Sequence, residues 1–130
     1  EIVNQGPGEV DFWFGVEMNM TLLAGSDPQR YILFPGLKIE DRRLAAGGII
    51  PEVEHVRLRD EAVGFEVSLD VWPGSQLWRF PLETFFQSES GIRKTYQGTV
   101  FLFHWQFPLK PGEKKPLTIA LSCEGIGPPG

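Results

Sequence analysis

Acidic side chains are the first candidates for chemistry in this sequence, because a hydrolase holds an acid and a base or nucleophile in one pocket. Two pairs lie close enough along the chain to be considered: Glu83 with Glu89, and Glu66 with Asp70. The chain carries 17 Asp and Glu residues, so neighbouring carboxylates are expected from their number alone. A solvated or salt-bridged surface is the commoner role of such groups. We therefore assign no catalytic residue to this chain.

The two histidines and the single cysteine form no recognisable site. No glycine pattern of a nucleophile elbow surrounds any serine, so Ser-His-Asp chemistry has no sequence support. His55 lies in a charged strand and is predicted to be exposed, whereas His104 lies among apolar residues and is predicted to be a core histidine. Because Cys123 is alone, an internal disulfide and a cysteine-based zinc site are both excluded. We expect no metal and no cofactor.

Exposed aromatic rings offer a different function, since sugar rings stack on flat aromatic faces beside polar groups. Trp13, Trp72 and Tyr96 each lie on a predicted outer face or beside a turn. We interpret these three as candidate sugar-stacking residues, with packing in the core or at an interface as the alternative for each. Trp78 and Trp105 are assigned to the core.

Extended segments must position all of these side chains. Residues 10–23 and 65–71 alternate apolar and polar side chains, which predicts half-buried antiparallel strands, and Pro73 with Gly74 is predicted to end the second of them. Residues 75–107 hold over half of the aromatic side chains and divide at the polar cluster 88–91 into two more strands. No helical period appears. The pattern predicts an all-β fold, an antiparallel β-sandwich.

The strand at 99–107 is apolar on both faces, unlike the others. One face carries Val100, Leu102 and His104, and the other carries Phe101, Phe103, Trp105 and Phe107. A two-layer sandwich covers one face of each strand, so the second face needs a further partner. We expect that partner to be another domain or a second copy of the chain.

Length, composition and charge exclude several kinds of partner. The 130 residues suit one domain, predicted at 1–124, with a flexible Gly/Pro tail at 125–130. The net charge of −5 argues against nucleic acid and against anionic membrane surfaces, and no apolar run is long enough to span a bilayer. The chain lacks an initiator Met, so we expect it to be a piece of a longer protein, and its compartment stays open.

Several motifs together resemble one known family. The run LWRFPLET at 77–84, SESG at 88–91 and YQG at 96–98 are similar to the C-terminal β-sandwich domain of family 57 glycoside hydrolases, which are 4-α-glucanotransferases, α-amylases and amylopullulanases. The segment GVEMNM at 15–20 resembles that domain's long strand, and PGE at 111–113 its closing hairpin. The resemblance spans roughly residues 10 to 123.

The resemblance implies an accessory role. In that family the catalytic glutamate and aspartate lie in a separate barrel, which no part of this chain resembles, so no catalytic residue is transferred. The implied fold is a sandwich related to the galactose mutarotase supersandwich, or part of one. The implied partner is the catalytic domain of the same parent chain, with glucan binding through Trp13, Trp72 or Tyr96 as one alternative and an interaction or oligomerisation domain as another.

Arg79, Glu83 and Glu89 cluster within the matching motif. An Arg that follows a core Trp, near acids on neighbouring turns, predicts a partly buried ion-pair network. Its role would be stability rather than catalysis.

Overall fold

The computed structural model describes residues 1–22 and 24–127. All regular structure in this part of the chain is strand, and every strand pairing is antiparallel. The strands are β1 (Ile2–Val3), β2 (Val10–Met20), β3 (Arg30–Leu33), β4 (Gly48–Asp60), β5 (Phe65–Ser88), β6 (Gly91–Leu109), β7 (Lys114–Lys115) and β8 (Thr118–Gly125). The predicted all-β sandwich is confirmed.

Strand β5 determines the shape of the domain. Its 24 residues would extend about 80 Å if straight, whereas a compact domain of this length has a radius of gyration of about 14 Å. The strand therefore has to bend, and part of it has to extend beyond the core. Its first part pairs with β8 and with the end of β4, and its later part pairs with β6 and with the start of β4. Six strands thus form one bent sheet with the order β2-β6-β5-β4-β3 and with β8 beside β5.

The prediction that Pro73 and Gly74 end a strand is wrong. Strand β5 runs through them, and the Trp72–Pro73 peptide bond is cis. On this edge, pairing with β8 ends at Trp72 and pairing with β6 begins at Gln76, so Pro73 occupies a position where no ladder N–H is required. Register shifts in β4 lie opposite, between Ile50 and His55. The bend therefore coincides with irregularities in both long strands.

The two halves of the bent sheet form the layers of the sandwich and share one core. Layer one contains β2, β6, the later part of β5 and the start of β4; layer two contains β3, β8, the first part of β5 and the end of β4. Phe101 and Phe103 of layer one and Leu58 and Leu69 of layer two are fully buried in the same cluster. Strand β6 supplies the largest of these side chains, as the aromatic content of 75–107 predicted.

The turn between β4 and β5 is held by one buried acid. Asp60 is buried, accepts a hydrogen bond from Val63 N at 2.9 Å, and accepts another from Arg30 Nε at 2.9 Å. Gly64 ends the turn with φ of 92°, in the left-handed region that favours glycine. A short turn thus joins β4, which ends at Asp60, to β5, which begins at Phe65.

Strand ends differ slightly from the sequence prediction. Strand β2 ends at Met20 rather than Leu23, and Leu23 lies outside the described residues. Gly125 was predicted to begin a flexible tail, but it belongs to β8, and Ile126 N donates to Gly64 O at 2.9 Å. Residues 128–130, the rest of that predicted tail, lie outside the described part of the chain.

Candidate functional site

The outer face of layer one carries an unpartnered group of apolar side chains. Residues on β2, β6 and β5 alternate inward and outward, and the register places Trp78 beside Leu102 and Ile49. We call this group the outer aromatic face; its members are Ile49, Trp78, Phe80 and Leu102, and Trp13 borders it. Trp13, Ile49 and Phe80 are exposed, while Trp78 and Leu102 are half-buried. The second apolar face predicted for β6 is therefore buried within this chain at Val100 and His104 and only partly covered at Leu102.

The placement of Trp78 corrects its assignment to the core. Leu77 and Arg79 are the buried neighbours on β5, so strand alternation turns Trp78 outward. Trp105 is buried as predicted, and its Nε1 donates to Pro73 O at 2.8 Å. The sequence could not separate the two tryptophans because the residues around Trp78 are apolar on both faces.

An aromatic cluster lies at one end of this face. Trp13 Nε1 donates to His104 Nδ1 at 2.9 Å, and the His104 ring lies 4.6 Å from the Trp78 ring, edge to face. His104 Nδ1 must be unprotonated to accept, so the neutral ring carries its proton on Nε2, which is buried and has no partner. Burial lowers the pKa of His104 from its ordinary 6.5. His104 thus fixes the orientation of Trp13 while staying neutral at pH 7.

A polar cleft of about 370 Å³ opens beside this cluster, at the bend of the sheet. Besides Trp13 and His104, its lining includes Glu52, Ser75, Gln76 and Gln106. Ser75 is buried, and its Oγ has no hydrogen-bond partner. Sequence reasoning missed this cleft because its residues come from five strands and meet only when β4 and β5 bend.

A hairpin arm, residues 82–97, projects from the far end of the same layer. Phe85 and Phe86 are adjacent, so they point to opposite faces of the arm, and both are exposed. Leu82 and Ile92 are exposed as well. Both faces of the arm therefore present apolar side chains that are uncovered within this chain.

The outer face of layer two is charged and already paired. Asp70 binds Arg57 at 2.8 Å and His55 at 2.7 Å, and Arg59 binds Glu66 at 2.8 Å. Burial acts to raise the pKa of Asp70, but the hydrogen bonds from His55 and Arg57 lower it overall. Glu66 and Asp70, which the sequence offered as an acid–base pair, are thus each paired with an arginine in a salt bridge. His55 is exposed, as predicted.

The three candidate stacking residues lie in different settings. Trp13 and Trp72 are 64% and 65% exposed, but they lie in different layers, and Trp72 does not line the cleft beside Trp13. Tyr96 is half-buried: its hydroxyl is hydrogen-bonded to Thr99, and its ring lies against the position of Gly25. The structure therefore does not bring the three together on one surface.

The predicted network of Arg79, Glu83 and Glu89 is not formed. Arg79 is buried, as proposed, but Nη2 donates to Asp41 O at 2.8 Å and the guanidinium lies 5.1 Å from the centre of the Phe34 ring. Glu83 instead pairs with Lys94 at 3.2 Å, and Glu89 is exposed.

Arg79 Nε and Nη1 are buried without hydrogen-bond partners. Desolvation lowers the pKa of Arg79, as expected for a cation held away from water. A register shift separates Leu82 from Glu83 on β5, and in the described part of the chain no hydrogen bond or salt bridge joins Arg79 to Glu83 or Glu89.

Two further findings bear on the site. Among residues 1–22 and 24–127, no group of three or more His, Cys, Asp or Glu side chains is arranged to hold a metal ion. Within the same described residues, no helix is long and apolar enough to cross a membrane. Cys123 is exposed and unpaired.

Fold and surface together define an all-β domain with one aromatic outer face and one salt-bridged outer face. Residues 1–119 match the family described as alpha-amylase/4-alpha-glucanotransferase, C-terminal, and the chain belongs to that family. Alpha-amylase 1 of Dictyoglomus thermophilum is similar, with 29% identity over 119 residues. That match covers 92% of this chain and only 17% of the relative's length. No solved structure matches the chain significantly.

Substitution of Arg79 tests what this buried cation contributes. Arg79→Ala should lower the free energy of unfolding in urea by about 2–4 kcal/mol, because it removes a packed side chain and the donor to Asp41 O. Arg79→Met should cost less than about 1 kcal/mol, because it keeps the packing and removes an unpaired buried charge. Glu83→Gln and Glu89→Gln should stay within about 0.5 kcal/mol of the parent. A Met variant as unstable as the Ala variant would show that the charge itself stabilises the fold.

The His104 site predicts a pH dependence of stability. Unfolded His104 takes up a proton near pH 6.5, whereas folded His104 does so only at lower pH. The contribution of neutral His104 to the free energy of unfolding is therefore fully present above about pH 6.5. It is lost progressively as the pH falls toward the lowered pKa of folded His104. Urea unfolding of the wild type and of His104→Gln between pH 8 and 5 measures it, since Gln can accept from Trp13 without titrating. Equal pH slopes for the two proteins would refute the assignment.

Proposed function

We propose that this chain is a non-catalytic accessory domain of an α-glucan-acting enzyme of glycoside hydrolase family 57, an α-amylase or a 4-α-glucanotransferase. In this role the outer aromatic face and the hairpin arm pack against the catalytic part of the parent enzyme. The observation that carries the proposal is the difference between the two outer faces. One carries salt bridges beside the exposed ring of Trp72; the other leaves several large apolar side chains uncovered.

Exposed apolar side chains of this kind mark an interaction surface. Single exposed hydrophobic residues are ordinary, but contiguous patches are rare on monomeric proteins. Here Ile49, Trp78 and Phe80 adjoin one another across β4 and β5, and Leu82 continues the group into the arm. A partner that covers them gains hydrophobic free energy in proportion to the apolar area removed from water.

The occupant we propose is the rest of the parent chain. The chain spans about a sixth of its relative, since the match covers 17% of that protein, so most of such an enzyme lies outside the matched region. A domain that is linked covalently to its partner meets that partner at high effective concentration. A modest apolar face is therefore sufficient to hold the two together. A second copy of this chain is the competing occupant.

The acidic residues of the chain support a non-catalytic role. Glu66, Asp70 and Glu83 are each engaged in an ion pair on an open surface. A catalytic pair instead needs one carboxyl kept protonated by its surroundings, opposite a second ionised one. We expect the purified chain to release no reducing ends from soluble starch, and measurable release would contradict the proposal.

Contact with the parent enzyme's glucan is a second candidate role. The observation that favours it is the exposed ring of Trp13 at the edge of a polar cleft.

Polar substitution in the arm tests the docking role. In the isolated chain, the double variant Phe85→Ser, Phe86→Ser should unfold within about 0.5 kcal/mol of the wild type, because both rings are exposed. In the full-length parent enzyme the same change should lower the melting temperature by about 2 °C for about 3 kcal/mol of lost interface free energy, because it removes two interface rings. Differential scanning calorimetry of both proteins measures the two effects.

Val63→Ser is the matched control, since Val63 is 69% exposed and Phe85 is 67% exposed, but Val63 lies in the β4–β5 turn. It should leave both melting temperatures unchanged. An arm variant that leaves the parent enzyme unchanged would refute the docking role. Size-exclusion chromatography of the isolated chain tests whether a second copy covers this surface instead. An isolated wild-type chain that is dimeric, and an arm variant that is monomeric, would assign the surface to a second copy.

A further inference from the structure

We propose that the cleft beside Trp13 is a subsite for a neutral α-glucan chain, in which one glucose ring stacks on Trp13. The proposal rests on the proposed function, because that function supplies the class of sugar. It adds a specific site and distinguishes it from the docking surface.

The ring of Trp13 is a preorganised platform. Trp13 is 64% exposed, yet its Nε1 is fixed by the hydrogen bond to His104. Its ring also packs edge to face against the Trp78 ring, with the two ring centres 6.1 Å apart. A ring held in this way loses little further freedom when a ligand binds. Because Nε1 is already used, the free flat face offers apolar stacking, which suits the C–H face of a pyranose ring.

The polar groups of the cleft suit the hydroxyl groups of the same sugar. Gln76 and Gln106 carry amides that both donate and accept, and Glu52 carries a carboxylate that accepts. A hydroxyl group also donates and accepts, so these side chains can pair with neighbouring hydroxyls of one ring. The combination of one apolar platform with a few polar groups is typical of small-ligand sites.

Two buried polar atoms point to a ligand in this cleft. Ser75 and His104 are 2% and 5% exposed, both line the cleft, and Ser75 Oγ and His104 Nε2 have no hydrogen-bond partner in the chain. Buried polar groups without partners are uncommon and costly. Ordered water or a hydroxyl-rich ligand can satisfy such atoms, whereas a purely apolar partner cannot.

The subsite lies at the border of the proposed docking surface, because the Trp13 ring contacts Trp78. Along β5, Gln76 precedes Phe80 by four residues, roughly 13 Å, and precedes Phe86 by ten, roughly 33 Å. A catalytic part seated on the arm and on Phe80 would therefore leave the cleft near the edge of the interface. A glucan bound there would approach the parent enzyme from the side of its accessory domain.

Trp72 provides a matched control for Trp13. The two rings are almost equally exposed, but Trp72 lies in the other layer and outside the cleft. Native electrophoresis of this chain in gels containing amylose, compared with gels lacking it, should show retardation of the wild type and of Trp72→Ala. Trp13→Ala should bind amylose at least roughly tenfold more weakly, the effect expected on removal of a central aromatic contact.

Gln106→Leu provides a second, independent test, because Gln106 is exposed and its replacement leaves the core intact. It should also reduce retardation, and far-ultraviolet circular dichroism should confirm that every variant is folded. Wild-type mobility unaffected by amylose would overturn the proposal, as would full retardation of folded Trp13→Ala or loss of retardation in Trp72→Ala alone. The arm variant of the docking test should retain amylose binding, so failure of either proposal is recognised separately.

Discussion

Strand β6 imposes the constraint on which the rest of this structure depends, because it is apolar on both faces. Phe101 and Phe103 face the other layer and are fully buried between the two halves of the sheet. On the opposite face Leu102 is half-buried, although Val100 and His104 beside it are buried. A sheet strand can be covered on both faces only if something packs outside the sandwich. The uncovered side chains beside Leu102 are the direct consequence of this arrangement.

The bend in β4 and β5 gives the two layers different outer surfaces. Because the same strands serve both layers, their side chains change surroundings at Pro73 and at the register shifts opposite it. Before the bend, β5 carries Glu66 and Asp70 outward into salt bridges; after it, the strand carries Trp78 and Phe80 outward. The cleft lies at the bend itself, between the salt-bridged part of β5 and its aromatic part. One sheet therefore separates a solvated face, an aromatic face and a polar pocket.

Alternation in the sequence was sufficient to predict strand existence, the sandwich and the doubly apolar strand, since burial on one face of a sheet leaves a period of two. Alternation could not predict that β5 passes through Pro73, because the continuity of a strand at a proline depends on which strands lie beside that position. It also could not orient Trp78 or find the partner of Arg79, since Asp41 and Phe34 come from a distant loop and strand end. Trp13 was one of three candidate exposed rings, with packing in the core or at an interface as the alternative, and its bond to His104 depends on the register of β2 against β6.

The central claim is that the aromatic outer face is covered in the intact parent enzyme. Hydroxyl-radical footprinting, read by mass spectrometry, measures side-chain access at Phe80 and Phe86 in the isolated chain and in the full-length enzyme. We predict that their oxidation rates fall severalfold in the full-length enzyme, while that of exposed Leu121 in layer two does not change. Equal rates at Phe80 and Phe86 in the two proteins would contradict the account.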